Sequence, residues 1–164
     1  MKVSSIFMYS LESELVSDFA KQLPLFDCLF TPLRIAYEFD YQSGRVDVIG
    51  ATESDDLICF EAKLNRWRDA VHQAYRNTAF SDYSYVVLPE KTAKKAAMFW
   101  HEFDMRGVGL CVTTPEEIRV EIPAIRQTPL MPWLTKRAIQ YIYNGKLIYN
   151  RNTEQLCQPH LLYT

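Results

Sequence analysis

Apolar residues recur at two different spacings along this chain, and the switches between them lay out an α/β fold. Over residues 10–23, Leu11, Leu15, Phe19 and Leu23, with Val16 and Ala20, fall at helical spacing. Residues 33–40 alternate and are β-prone, Gln42-Ser43-Gly44 turns the chain, and 45–50 predicts a second strand. A polar turn over 52–56 leads to a third predicted strand, 57–64. A helix is expected over 66–80, with Trp67, Ala70, Val71 and Ala74 on one face. The apolar strand 83–88, ended by Pro89, precedes a single predicted helix over 91–104 and a strand over 107–113. Strand, helix, strand, helix, strand at this spacing calls for partly parallel pairing with helical crossovers, and the earlier hairpin makes the sheet mixed.

The rest of the pattern is weaker. Residues 118–122 read as a strand, Pro123, Pro129 and Pro132 interrupt the chain, and 133–143 reads as an amphipathic helix. The stretch after Asn144 is rich in Tyr, Leu and Asn and follows neither period. The expected organisation is one α/β domain over 1–122 and a C-terminal extension over 123–164, a helix plus aromatic tail that packs on the core or on a partner. A second copy of the chain is one such partner.

Composition narrows the function classes. The chain has 164 residues, 48% hydrophobic and 23% charged, which is ordinary globular usage. Cys28, Cys59, Cys111 and Cys157 are scattered, with no Cys-x-x-Cys pair to build a thiolate zinc site. Cys59 and Cys111 lie in apolar runs, as buried small hydrophobes do, and a reducing cytoplasmic setting is expected. The first residues do not read as a secretory leader, and no stretch is long and apolar enough to span a bilayer. No Gly-rich phosphate loop and no Ser-His-Asp arrangement is present. Net charge is −2, but residues 1–63 hold 5 Lys/Arg against 11 Asp/Glu, and residues 64–164 hold 13 against 9. An acidic half followed by a basic half suits a metal site beside a phosphate-binding surface, and chance fluctuation gives the same asymmetry.

Candidate chemistry gathers around three charged residues. Asp47 sits in one short apolar strand; Glu61 sits in the next, two residues before Lys63. Alternation puts Ile58, Phe60, Ala62 and Leu64 on one face of the third strand and Leu57, Cys59, Glu61 and Lys63 on the other. A strand apolar on both faces that ends in two charges opens into a site or into solvent. If Asp40 faces Arg45 across the hairpin, Glu38 faces Asp47, with Tyr37, Phe39, Val46 and Val48 on the apolar side. Adjacent carboxylates repel unless a cation or proton lies between them. Mg²⁺ or Mn²⁺ takes oxygen ligands and keeps several waters, so Asp47 and Glu61, with the Ala62 carbonyl, form a candidate ligand set. On the first helix Glu12 sits at the edge of the apolar stripe and is the candidate for a further carboxylate, or else an ordinary residue of the helix start. Lys63 can orient a water or balance charge on a phosphate. Arg66, Arg68, Arg76 and His72 decorate the following helix, as phosphate contacts or as a solvated face. Lys91, Lys94 and Lys95 at a helix start oppose its dipole, which invites a DNA or partner contact as the reason.

Gly44-Arg45-Val46-Asp47-Val48-Ile49, then Cys59-Phe60-Glu61-Ala62-Lys63-Leu64, resembles the core of the PD-(D/E)XK nuclease superfamily. The leading helix with Glu12, and the segment from Trp67 through Gln73 to Pro89, resemble the elements that flank that core, so the likeness covers roughly residues 10–113. Val46 stands where the naming proline would be, and Asn77 stands where one subfamily carries a tyrosine four residues after Gln73. The resemblance implies a restriction-endonuclease-like αβββαβ core and Mg²⁺-dependent cleavage of DNA. It assigns metal binding to Asp47 and Glu61 and catalysis to Lys63, and it gives Gln73 a supporting or substrate-touching role. A nuclease-fold subunit that binds nucleic acid or protein without cutting is the alternative.

Overall fold

Alternating apolar strands bury both faces of a central sheet, and the helices among the described residues cover it. A computed structural model describes residues 8–25 and 34–145. Cys28, Cys157, His160 and the aromatic tail lie outside the described residues. The elements run α1 (Glu12–Gln22), β1 (Arg34–Tyr41), β2 (Gly44–Ala51), β3 (Leu57–Ala62), α2 (Trp67–Asn77), β4 (Tyr83–Pro89), α3 (Glu90–Ala97), α4 (Trp100–Asp104), β5 (Gly109–Thr113), β6 (Ile118–Ile122) and α5 (Pro132–Asn144). The strands form one six-stranded sheet in sequence order. β3, β4 and β5 pair in parallel; the other neighbours are antiparallel. The order α1-β1-β2-β3-α2-β4 is the αβββαβ core, and the sheet is mixed as the spacing requires. No helix among the described residues is long and apolar enough to cross a membrane.

Leu15 and Phe19 of α1 pack on Val48, Ile58 and Phe60 from one face of the sheet. The other face is covered twice. Helices α2, α3 and α4 pack on β4 and β5 through Trp67, Ala70, Ala74, Val86 and Leu88. Helix α5 packs Leu134, Ala138 and Ile142 on Phe39, Val46, Leu57 and Cys59. The alternation expected along β3 is observed: Ile58, Phe60 and Ala62 face α1, while Leu57 and Cys59 face the opposite layer.

Three expectations change. The helix over 91–104 is two, because Phe99 leaves helical geometry (φ −110°, ψ 37°). Its ring stacks on Trp67 at 5.7 Å, and Phe103 stacks on the same indole at 5.8 Å. The break puts Lys94 and Lys95 in the last turn of α3, where cations favour the helix dipole, and Lys94 pairs with Glu90 at 3.7 Å. Their sequence argument for a partner therefore falls. The third strand ends at Ala62, so Lys63 and Leu64 follow it rather than belong to it.

The third correction concerns the hairpin. Asp40 faces Arg45 as expected, but Glu38 and Asp47 drop out of the ladder between the pairs Tyr37–Val48 and Phe39–Val46. Glu38 is left-handed (φ +54°), which inverts the alternation. Tyr37 and Val48 face α1, whereas Phe39 and Val46 face α5, so the four form no single apolar side. Side chains of α5 grip the kinked edge: the Tyr141 hydroxyl donates to the Tyr37 carbonyl at 2.7 Å and Arg137 to the Asp40 carbonyl at 3.1 Å.

Gly109 opens β5 where the sheet meets the 123–131 crossing. A Cβ there would collide with the edge of the Tyr85 ring and lie 2.7 Å from the Ala124 nitrogen. Gly109→Ala is expected to lower stability by ~1–3 kcal/mol through this overpacking. Urea unfolding measures it, and an unchanged midpoint would contradict the packing described.

Candidate active site

Burial fixes the site's character before any ligand is considered. Glu61 extends from β3 into the layer shared by α2 and α5 and is only 2% exposed, while Asp47 is half-buried beside it. Two carboxyl groups out of water have few ways to remain charged. Burial raises Glu61 most, the charge of Asp47 adds to it, and a hydrogen bond between the two carboxyls contributes; its pKa is pushed up to about 8. Asp47 is also raised, again chiefly by burial, against the lowering effects of its Ala62 hydrogen bond and the Lys63 charge. In the metal-free protein the pair therefore holds a proton near neutrality.

Each carboxyl is oriented by a donor. The Ala62 amide donates to Asp47 Oδ2 at 2.9 Å. Asn77 Nδ2 donates to Glu61 Oε1 at 2.7 Å, and the Tyr41 hydroxyl donates to Asn77 Oδ1 at 3.0 Å. This relay joins β1, α2 and β3. Asn77 is itself held, because Ser81 donates to its carbonyl at 2.9 Å and Ser84 donates to the Ala74 carbonyl at 2.7 Å. Asn77 and Tyr41 escaped the sequence-based site. The available signal was the place of Asn77 on the Ala70-Ala74 face of α2, where a polar residue needs a buried partner.

Lys63 lies one residue beyond β3, at the carboxyl end of a parallel strand. Its Nζ contacts Glu12 Oε1 at 3.2 Å, and the Leu64 amide lies 3.4 Å from the other Glu12 oxygen. Thr92 of α3 donates to the Leu64 carbonyl and pins the segment. At the start of α1, Glu14 turns back to accept from the Ser10 and Leu11 amides at 2.9 and 3.1 Å. Glu12 is thereby left to face Lys63, and its charge acts on Asp47. The structure thus brings together Glu12, Asp47, Glu61 and Lys63. Glu38 is not among them: it is exposed and lies 4.0 Å from Arg45.

The basic residues divide. Lys63, Arg66, Gln73 and Arg76 line an open cleft of about 560 Å³ along α2. Arg66 is paired with Asp69 at 2.6 Å, while Arg76 has no ion-pair partner among the described residues. Arg68 is elsewhere: its guanidinium stacks on Trp67 at 4.1 Å and hydrogen-bonds Glu102 at 2.9 Å. Gln73 Oε1 is shielded from solvent and accepts no hydrogen bond.

Asp47 and Glu61 fit a divalent cation on their own chemistry. They are hard oxygen donors in mutual contact, and their contact needs a proton or a cation. Among the described residues no three His, Cys, Asp or Glu side chains form a metal cluster, and a magnesium ion held by two carboxylates completes its shell with water.

The chain matches no family model and no curated protein. Among solved structures it is similar to a protein of unknown function from Silicibacter pomeroyi, with 20% identity, TM-score 0.51, and coverage of 66% of this chain and 70% of that one. At that identity the likeness shows the fold alone. A repair endonuclease from Pyrococcus abyssi is similar at 19% identity and TM-score 0.44, over 66% of this chain and 49% of that one. The EndoMS–double-stranded DNA complex is similar at 17% identity and TM-score 0.45, over 71% of this chain and 50% of that one. The match thus spans about half the length of each of these two, and scores at that level say nothing of chemistry.

The raised carboxyl has a thermodynamic consequence. Folded Glu61 keeps a proton that the unfolded chain releases above its ordinary value of 4.5, so metal-free stability falls as pH rises from there towards about 8. Glu61→Gln, which cannot ionise, is expected to flatten that slope in urea unfolding with chelator present. Identical slopes for the two proteins would show that the carboxyl is not raised.

Proposed function

We propose that this protein is a divalent-metal-dependent nuclease that hydrolyses DNA phosphodiester bonds, with Mg²⁺ or Mn²⁺ as the cofactor. The observation that carries the reading is the buried Asp47–Glu61 contact with the Lys63 ammonium just beyond it at the end of β3. Residues of these types, in this order, are what the PD-(D/E)XK resemblance requires.

Asp47 and Glu61 would hold the metal, with the Ala62 carbonyl as a further oxygen donor; Glu12, paired with Lys63, would join them only on release from that pair. A bound divalent ion supplies Lewis-acid polarisation of the phosphate and lowers the pKa of a coordinated water. The chain's own groups do the rest. Asn77 and the Ala62 amide fix the carboxyl directions, so the ligands need not reorganise. Lys63, drawn from Glu12 to the substrate, orients the attacking water and offsets charge accumulating on the phosphate oxygens. Arg66 and Arg76 hold flanking phosphates from the cleft. Gln73, on the helix face between them, supports the site. Arg68 takes no part, since Glu102 and Trp67 already occupy it.

One observation favours the second reading, a nuclease-fold subunit that binds without cutting: Glu12 already engages the Lys63 ammonium. Nicking of supercoiled plasmid with Mg²⁺ or Mn²⁺ separates the two. Wild type is expected to cut, Asp47→Ala and Lys63→Ala to lose at least ~10²-fold in rate, and Arg68→Ala to retain most activity. Equal cutting by wild type and Asp47→Ala would remove the enzymatic reading, and DNA binding without cleavage by wild type would establish the second.

A further inference from the structure

The cleft beside Lys63 carries an aromatic residue that phosphate binding does not use. Tyr75 lies on its wall, 51% exposed, and has no ring contact or side-chain hydrogen bond among the described residues. An unpartnered aromatic face in water is ordinary on a convex surface. Here it stands next to Arg76 in a concave site. The Arg76 guanidinium reaches towards the β1–β2 turn, with its Nη2 3.8 Å from where a Cβ on Gly44 would lie. It forms no ion pair with a described residue. An exposed ring and an uncommitted cation on adjacent residues offer a base face and a phosphate contact to one nucleotide.

We propose that this cleft binds an unpaired nucleotide, so that the preferred substrate is single-stranded DNA or the unpaired end of a duplex, with Tyr75 stacking on a base and Arg76 holding its phosphate. The inference rests on the nuclease reading and adds the substrate class. Shape is compatible with it: an open cleft of about 560 Å³ has room for a nucleotide or two against its wall. Charge supports it as well. Duplex-binding surfaces rely on many uncommitted cations. This cleft offers three Lys or Arg side chains, Lys63, Arg66 and Arg76, and of these Arg76 has no ion pair among the described residues. Stacking supplies affinity where Coulomb attraction is modest, and it requires a base whose face is not already stacked in a helix.

The test is fluorescence anisotropy in chelator with a labelled 12-mer of thymidylate, the corresponding blunt duplex, and a 12-mer whose central residues are abasic. The single strand is expected to bind roughly tenfold or more tighter than the duplex, and Tyr75→Ala to weaken it roughly tenfold. Tyr75→Phe should restore binding, because the ring and not the hydroxyl is used. The abasic strand should bind wild type and Tyr75→Ala equally weakly, which a merely structural role for Tyr75 would not produce. Equal affinity for strand and duplex, or an abasic strand bound as tightly as the intact one, would overturn the proposal. The outcomes separate from those of the nuclease reading. Metal-dependent nicking with no strand preference sinks only the inference, and a base-dependent strand preference without cleavage sinks only the enzyme.

Discussion

Two carboxyl groups held in contact away from water cannot both carry charge unless something positive lies between them. Much of this molecule serves to hold such a pair in place. Glu61 is on β3 because the alternation of Leu57, Cys59 and Glu61 points it into the α2–α5 layer. Asp47 reaches it because β2 leaves its regular alternation at that residue, opposite the left-handed Glu38. The Ala62 amide and the Asn77 side chain then hold the two acids in place. Without a metal the conflict is resolved by a proton, and the elevation of Glu61 to about 8 expresses that resolution.

The surrounding fold spends conformational freedom to keep this arrangement rigid. Tyr41 reaches Asn77 from β1, and Tyr141 and Arg137 reach the kinked edge from α5. Asn77 ends a helix whose last carbonyls are closed by two buried serines. The bonds of Asn77, Ser81 and Ser84 among these satisfy polar groups that would otherwise be left unpaired in the interior. The site is thus supported from four elements, while Lys63, just past the end of β3, keeps a long side chain that can change partners.

How much of this could be read from the sequence depended on how local its cause was. A period of two along β3 placed Glu61 correctly, because alternation is a property of one strand. Glu12 was legible from its position at the edge of an amphipathic stripe. The hairpin register was legible from the Asp40–Arg45 pair, but the inversion at Glu38 was not, since the groups that grip it lie about a hundred residues away on α5. Arg68 looked like a phosphate contact on its own helix. Its real partners, Glu102 and the Trp67–Phe99 stack, depend on a helix break at Phe99 that the hydrophobic period does not reveal. Asn77 stood in view as a mere departure from a motif, and its meaning appears only when the opposite face of the contact, Glu61, is in place.

If a cation displaces the proton that the acid pair shares, then binding it must release that proton to the solvent. Calorimetric titration of Mg²⁺ at pH 7 in buffers of different ionisation enthalpy counts it. The expected result is release of about one proton per ion bound by wild type, and of markedly less by Glu61→Gln. Metal binding with no proton release, or no binding at all by wild type, would contradict the exchange on which the rest is built.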